Sequence, residues 1–115
     1  MNSYKKNPRV YLDDILGAIA RVTEYTSQGK QQFFDDMKTQ DAVIRQISII
    51  GEASSRLPKN LRDAHSGIPW KEIIGMRNII VHDYSHTDLI IVWDTIQQHL
   101  PALKENVDCM LRETP

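Results

Sequence analysis

The feature that most constrains the fold is an apolar pattern near the end of the chain that repeats with steps of three and four residues. It covers three heptads: Leu89, Trp93, Ile96, Leu100, Leu103, Val107 and Met110. This spacing places apolar side chains along one face of an α-helix. The pattern predicts either a core helix or a seam between two copies of the chain. Pro101 removes one backbone hydrogen bond within the run, which predicts a kink near residues 97–101.

Two earlier segments repeat the same spacing. The first predicts a helix from Val10 to about Ser27, and the second predicts a helix from about Gln40 to Leu57 that Thr39 caps. A short helical turn is expected between them, and another helix after Pro69. The chain shows no alternation typical of strands. We therefore expect one all-α domain over residues 1–115, with four main helices in an up-down bundle plus short helical turns.

The second predicted helix contains two small residues, Gly51 and Ala53, which could admit the close approach of another helix. Glycine inside a helix costs about 1 kcal/mol relative to alanine, so we expect a packing reason for it. Pro58 should end this helix, and residues 58–68 are expected to form the main connecting loop. Arg56, Lys59 and Arg62 in this region could contact a substrate phosphate, although solvated surface charge is the favoured interpretation.

Composition limits the partners of the chain. Its 115 residues have a net charge of −1, with 41% hydrophobic and 25% charged residues, which is typical of a globular domain. Nonspecific nucleic-acid binders usually carry a basic excess, so a partner RNA would need positive charge that is local or pooled between two chains. The chain has neither a stretch of about 18 apolar residues nor a secretory leader. We expect a cytoplasmic protein with no membrane partner.

Catalysis-capable side chains are densest in residues 75–84, where Arg77 and Asn78 precede three apolar residues and His82, Asp83 and Tyr84 follow them. An arginine and a histidine near a helix end are more often a packing pair, but burying this many polar groups unpaired would be costly. On a regular helix, where successive residues are about 100° apart, the side chains of Arg77 and His82 would point about 140° apart. Either the helix unwinds near His82, or a second chain completes the site. At a helix C-terminus, the helix dipole would favour protonated His82.

The spacing of Arg77, His82 and Tyr84, with Asn78 directly after the arginine, resembles the active-site signature of the HEPN superfamily. The likeness extends over nearly the whole chain, through the opening YLDDILGAIARV segment, the Gly-Glu-Ala segment of the central helix, the IPWKEIIGMRN lead-in and the long last helix. The chain resembles the HepT-like toxins, which are small all-helical ribonucleases encoded beside a minimal nucleotidyltransferase (MNT) antitoxin.

This resemblance implies a HEPN-like homodimer that acts on RNA, with transfer RNA as a reasonable substrate. It implies that both copies of the motif lie in one composite cleft, and that the antitoxin transfers adenylyl groups to Tyr84. RNA cleavage without a metal needs a proton acceptor, a proton donor and a cation that stabilises the charged transition state. Arg77 and His82 supply two of these. Asn78 and Asp83 are predicted to support them, and His82 of a second chain could supply the third.

Two alternatives remain open. His82 and His86, with Asp83 and Asp88, could form a metal site, but the expected helix break disfavours that geometry, so no metal or cofactor is predicted. A noncatalytic helical module that binds a nucleotide or a partner protein is the alternative function.

Overall fold

The computed structural model describes the backbone of residues 7–81 and 86–114, and the side chains of residues 7–78 and 89–114. Its elements are α1 (Pro8–Tyr25), α2 (Lys30–Asp35), α3 (Met37–Arg56), α4 (Lys59–Ala64), α5 (Trp70–Gly75), a 3₁₀ helix (Met76–Val81) and α6 (His86–Glu113). The described residues form no strand, which confirms the all-α class. No helix in these two ranges is long and apolar enough to cross a membrane.

The core forms where the apolar faces of the long helices meet. α3 packs against α1, α5 and the 3₁₀ helix, and α6 packs against α1 and α2. Most of the predicted apolar positions of α1 and α3 are buried: Leu12, Ile15, Ala18, Ile19, Val22, Val43, Ile44, Ile47, Ile50, Ser54 and Leu57. Three further positions predicted for the α1 face, Tyr11, Leu16 and Tyr25, are only partly buried and pack against this core. Full burial of one leucine or isoleucine side chain stabilises a fold by roughly 1.5–3 kcal/mol, so these faces hold α1 and α3 together.

The stripe on α6 is covered within one chain, which confirms the core-helix interpretation. Six of its seven residues are buried, and the partly buried Trp93 packs against Phe33 of α2 with 5.5 Å between ring centroids. α6 continues through Pro101 to Glu113, so the proline does not end the helix. The kink near residues 97–101 stays a prediction.

The start of α3 differs from the prediction. The helix begins at Met37 rather than Gln40, and Asp36 rather than Thr39 takes the N-cap position. The Thr39 hydroxyl donates to the Asp36 carboxylate at 2.7 Å. Because Met37 is 72% exposed, the first turn of α3 leaves no apolar pattern in the sequence.

The predicted loop at residues 58–68 was wrong in part, because it contains the helix α4. The Pro58 carbonyl accepts hydrogen bonds from the backbone N–H groups of Leu61 and Arg62, and Lys59 pairs with Asp63 one turn later. None of the six residues of α4 is buried. Apolar periodicity therefore could not reveal this helix.

The helix predicted after Pro69, called the motif segment from here on (residues 70–81), was expected to have Pro69 in its first turn and to be α-helical throughout, but only its first half is. The α-helical part, α5, ends at Gly75, and Pro69 lies at its N-cap position rather than in its first turn. The chain then continues as the 3₁₀ helix, so the change of geometry comes before Arg77. The unwinding predicted at His82 lies outside the described residues.

Gly51 permits direct backbone contact between α3 and the motif segment. A Cβ atom at this position would lie 3.0 Å from the Arg77 Cβ and 3.1 Å from the Ile74 carbonyl oxygen. Contacts this close to backbone atoms leave no room for a side chain. The packing reason expected for Gly51 is confirmed.

The Gly51→Ala variant should be destabilised by about 1–3 kcal/mol, because the added methyl group forces α3 and the 3₁₀ helix apart. Gly17→Ala is the matched control, because its Cβ would meet only the flexible end of Arg21, at 3.2 Å. That variant should gain up to about 1 kcal/mol from helix propensity. Urea unfolding, followed by circular dichroism, measures the free energy of unfolding of each variant. Equal stabilisation of the two variants would contradict the contact.

Candidate active site

Arg77 is held against α3 through one end of its guanidinium. Its Nη1 lies 3.1 Å from Glu52 Oε1 and 3.4 Å from the Ser55 hydroxyl oxygen. The buried side chain of Met76 anchors the backbone just before it. The Arg77 side chain is nevertheless 40% exposed. Since an arginine has five N–H donors, the anchored group retains donors that can bind a ligand.

Glu52 is shared by two arginines. Its second carboxylate oxygen, Oε2, accepts a hydrogen bond from the Nε of Arg56 at 2.8 Å. The Glu52 carboxylate raises the pKa of Arg56 above its ordinary value, and the nearby Tyr11 adds a smaller effect in the same direction. Exposed ion pairs of this kind contribute little to stability. The main consequence is geometric, because one carboxylate fixes the positions of two guanidinium groups.

The structure places part of the predicted site. Arg77 and Asn78 are adjacent in the 3₁₀ helix, and Asn78 is exposed. Because consecutive residues of a 3₁₀ helix point about 120° apart, Asn78 faces away from the direction of its neighbour. His82, Asp83 and Tyr84 lie outside the described residues.

The alternative metal site also falls outside the described side chains. It would need His82 and Asp83, together with the side chains of His86 and Asp88. Elsewhere in the described part of the chain, no group of three or more histidine, cysteine, aspartate or glutamate side chains could hold a metal ion.

The basic side chains near residues 56–62 have different environments. Arg56 lies beside the carboxylate that holds Arg77. Lys59 instead pairs with Asp63, at 2.9 Å. The structure thus brings Arg56 to the motif, and Lys59 has the solvated ion pair that the favoured interpretation expects.

Sequence reasoning missed Glu52 and Ser55 as neighbours of the motif. A signal existed, because both follow Gly51 within roughly one helical turn of about 3.6 residues. A glycine that admits a second backbone also indicates that nearby polar residues face the same segment. In the Gly-Glu-Ala segment, Gly51 therefore permits close helix packing, and Glu52 holds Arg77.

An open groove of about 390 Å³ lies between α1 and α3, next to this site. Its lining residues are Tyr11, Asp14, Arg45, Ser48, Ile49, Glu52, Ala53 and Arg56. Glu52 belongs both to the groove and to the Arg77 contact. The groove and Arg77 are therefore neighbours that share the Glu52 side chain.

Comparison with known proteins assigns the chain to a family. The family model described as Ribonuclease HepT-like matches residues 15–110. "Probable ribonuclease HepT" of Thermococcus cleftensis is 40% identical over 87% of this chain and 92% of its own length. "mRNA nuclease HepT" of Shewanella oneidensis is 28% identical over 83% of this chain and 89% of its own length. The fold and these matches define an all-α protein of the ribonuclease class. The chain belongs to the ribonuclease HepT-like family.

A further relative is longer. A protein of Methanocaldococcus jannaschii, whose name joins a gamma-glutamylcyclotransferase to a candidate RNase, is 39% identical over 95% of this chain. The chain covers 50% of the length of that relative. No solved structure gives a significant match.

Proposed function

We propose that the chain is a metal-independent ribonuclease and the toxin component of a type VII-like toxin–antitoxin module. The observation that carries the proposal is that Glu52 holds Arg77 through Nη1 while the arginine side chain stays 40% exposed, which suits binding of a phosphate by its other donors. Membership of the ribonuclease HepT-like family supports RNA as the substrate. We further propose that residues 1–115 act as one HEPN-like domain in the cytoplasm.

In the proposed reaction, Arg77 binds the phosphate that is cut. Negative charge grows on the phosphate oxygens in the transition state, and a preorganised guanidinium stabilises that charge. With Nη1 held by Glu52, the remaining N–H donors can form two parallel hydrogen bonds to phosphate oxygens. Asn78, which points about 120° away from Arg77, is proposed to support the reaction by orienting the histidine.

His82 is proposed as the general base. It takes the proton of the 2′-hydroxyl, so that the 2′-oxygen forms a bond to phosphorus while the bond to the 5′-oxygen breaks. The leaving 5′-oxygen needs a proton, which His82 of a second copy would donate. Asp83 would support the charged histidine. The products are a 2′,3′-cyclic phosphate and a 5′-hydroxyl.

The need for two proton-transfer groups supports a homodimer with a composite cleft. A second chain is then the simplest way to place an arginine and a histidine on one phosphate. The proposed substrate is transfer RNA, whereas the Shewanella relative is named an mRNA nuclease.

We propose that an MNT-type nucleotidyltransferase silences the ribonuclease by attaching adenylyl groups to Tyr84. The added phosphodiester is the same chemical group as the substrate phosphate. It would bind the exposed end of Arg77, whose anchored end on Glu52 would stay unchanged. Inhibition would therefore act by competition and leave the chain folded.

The first test is cleavage of total cellular RNA by the purified protein in EDTA. The wild type should cleave, and Arg77→Ala and His82→Ala should each lose about 100-fold or more of the rate. Arg112→Ala, which removes an exposed arginine of α6, is the control and should keep full activity. Sequencing of the cut ends would identify the RNA. A wild type that is free of adenylyl groups and does not cleave would instead support the noncatalytic binding module.

Glu52 should act as a positioning residue. Glu52→Ala should lower kcat by about tenfold, because the arginine loses its fixed orientation, and should barely change the urea midpoint. Glu52→Gln retains a hydrogen-bond acceptor and should recover part of the rate. Glu105→Ala, at an exposed position of α6, should match the wild type in both measurements. Full activity of Glu52→Ala would show that the contact is incidental.

Mass spectrometry of the chain co-expressed with its nucleotidyltransferase should show adenylyl groups on Tyr84. The Tyr84→Phe variant should escape modification and remain toxic in the presence of that partner, whereas Tyr25→Phe should be modified and silenced like the wild type. Inhibited but unmodified protein would instead favour steric blocking by the antitoxin.

A further inference from the structure

We propose that the groove between α1 and α3 binds the single RNA strand that flanks the cleaved phosphate. The inference rests on the proposed function, because it takes Arg77 as the site of cleavage. The groove adjoins that arginine through the shared carboxylate of Glu52. Its volume of about 390 Å³ lies within the range of small-ligand sites, and the groove is open to solvent.

The α3 wall of the groove is one continuous helix face. Positions 45, 48, 52 and 56 follow steps of three and four residues, and position 49 lies four residues after position 45, so these side chains share one helix face. At about 1.5 Å of rise per residue, Arg45 lies roughly 10 Å along the axis from Glu52. A strand with its bases stacked about 3.4 Å apart covers that length with three nucleotides.

Both ends of this helix face carry positive charge. Arg45 is exposed and makes no ion pair or hydrogen bond with any side chain that the structure describes. At the other end, the single negative charge of Glu52 faces two guanidinium groups, those of Arg56 and Arg77, which leaves a net positive charge. Together, the three arginines face two carboxylates, those of Glu52 and of Asp14 on the α1 wall, so the groove and the adjoining Arg77 carry one net positive charge. This local charge offers a polyanion an attraction that the chain as a whole, with a net charge of −1, does not.

The α1 wall offers contacts to bases. Tyr11 is partly buried against the core, and its position in the groove wall can expose a ring face for base stacking. Asp14, one turn later, has a free carboxylate in the described part of the chain and can accept hydrogen bonds from base amino groups. Stacking on a tyrosine requires a base that has left its duplex. These contacts favour a single strand over a double helix.

The test is binding of a fluorescent single-stranded oligonucleotide with 2′-deoxy sugars, which cannot be cleaved. Arg45→Ala should weaken binding by about tenfold and reduce the slope of log affinity against log salt by about 0.7, the change expected for one lost phosphate contact. Arg112→Ala should leave both values unchanged. An Arg45→Ala variant that equals the wild type in affinity and slope would overturn the proposal, as would a wild type that does not bind the oligonucleotide.

Two Tyr11 variants test the stacking contact. Tyr11→Phe retains an aromatic ring and should bind like the wild type, whereas Tyr11→Leu keeps apolar packing and should weaken binding about fivefold or more. Circular dichroism would verify that both variants are folded. Equal affinities of the two folded variants would remove the stacking contact and contradict the proposed path of the strand.

Cleavage assays separate this inference from the proposed function. A dinucleotide is too short to contact both Arg77 and Arg45, so the loss of cleavage rate in Arg45→Ala should be smaller for a dinucleotide than for a long strand. If the wild type cleaves neither substrate, the ribonuclease proposal fails and the binding data still decide the groove. If Arg45→Glu changes the sedimentation of the protein but not its affinity for the oligonucleotide, the groove is a contact between copies of the chain, which would overturn the proposal.

Discussion

The backbone contact at Gly51 is the constraint on which the candidate site depends. A helix with any side chain at this position would stand farther from the motif segment, because a Cβ atom there would lie within 3.1 Å of two atoms of that segment. Buried Ile50 fixes α3 in the core on one side, and buried Ile73 and Met76 fix the motif segment on the other. Because Gly51 has no side chain, the backbones of α3 and the motif segment can approach each other closely. Arg77 therefore reaches Glu52 directly. Glycine has a lower helix propensity than alanine, but at this position it permits the contact that the candidate site needs.

The electrostatics of the site follow from this approach. The chain as a whole is slightly acidic, with a net charge of −1, so its overall field gives little attraction for a polyanion. The arrangement around Glu52 creates a local exception, because one carboxylate serves two arginines. The positive charge lies where the proposed chemistry needs it, and the rest of the surface can remain mixed in sign. Phosphate contacts of this kind should fix the position and orientation of a bound nucleic acid more than they add to overall electrostatic attraction.

Much of the fold could be predicted from the sequence, because three long helices bury apolar stripes that repeat with the helical period. The features that escaped prediction are those that bury little. The α4 helix buries no residue, and α3 begins with the exposed Met37. The change from α5 to the 3₁₀ helix leaves no distinct pattern either, because the three-residue step from Ile73 to Met76 fits both helix types.

The candidate site shows the same limit. Arg77 could be identified from its neighbours in sequence, but its partner Glu52 is 25 residues away and becomes visible only when α3 and the motif segment pack together. The predicted roles of His82, Asp83 and Tyr84 stay predictions. Sequence patterns report which faces are buried, and they do not report which polar side chains meet across a contact between helices.

In the proposed reaction, the contact with Glu52 would also favour arginine over lysine at position 77. A lysine carries its three donors on one nitrogen atom, so an ammonium group held by Glu52 and Ser55 would have little capacity left for a phosphate. In a guanidinium, different nitrogen atoms can contact α3 and bind a phosphate. Its Nη1 contacts α3, while the other nitrogen atoms have no hydrogen-bond partner among the described residues, on a side chain that is 40% exposed. The anchored end reduces the freedom of the side chain before a substrate arrives, and the free end keeps the planar donor pair that matches two phosphate oxygens.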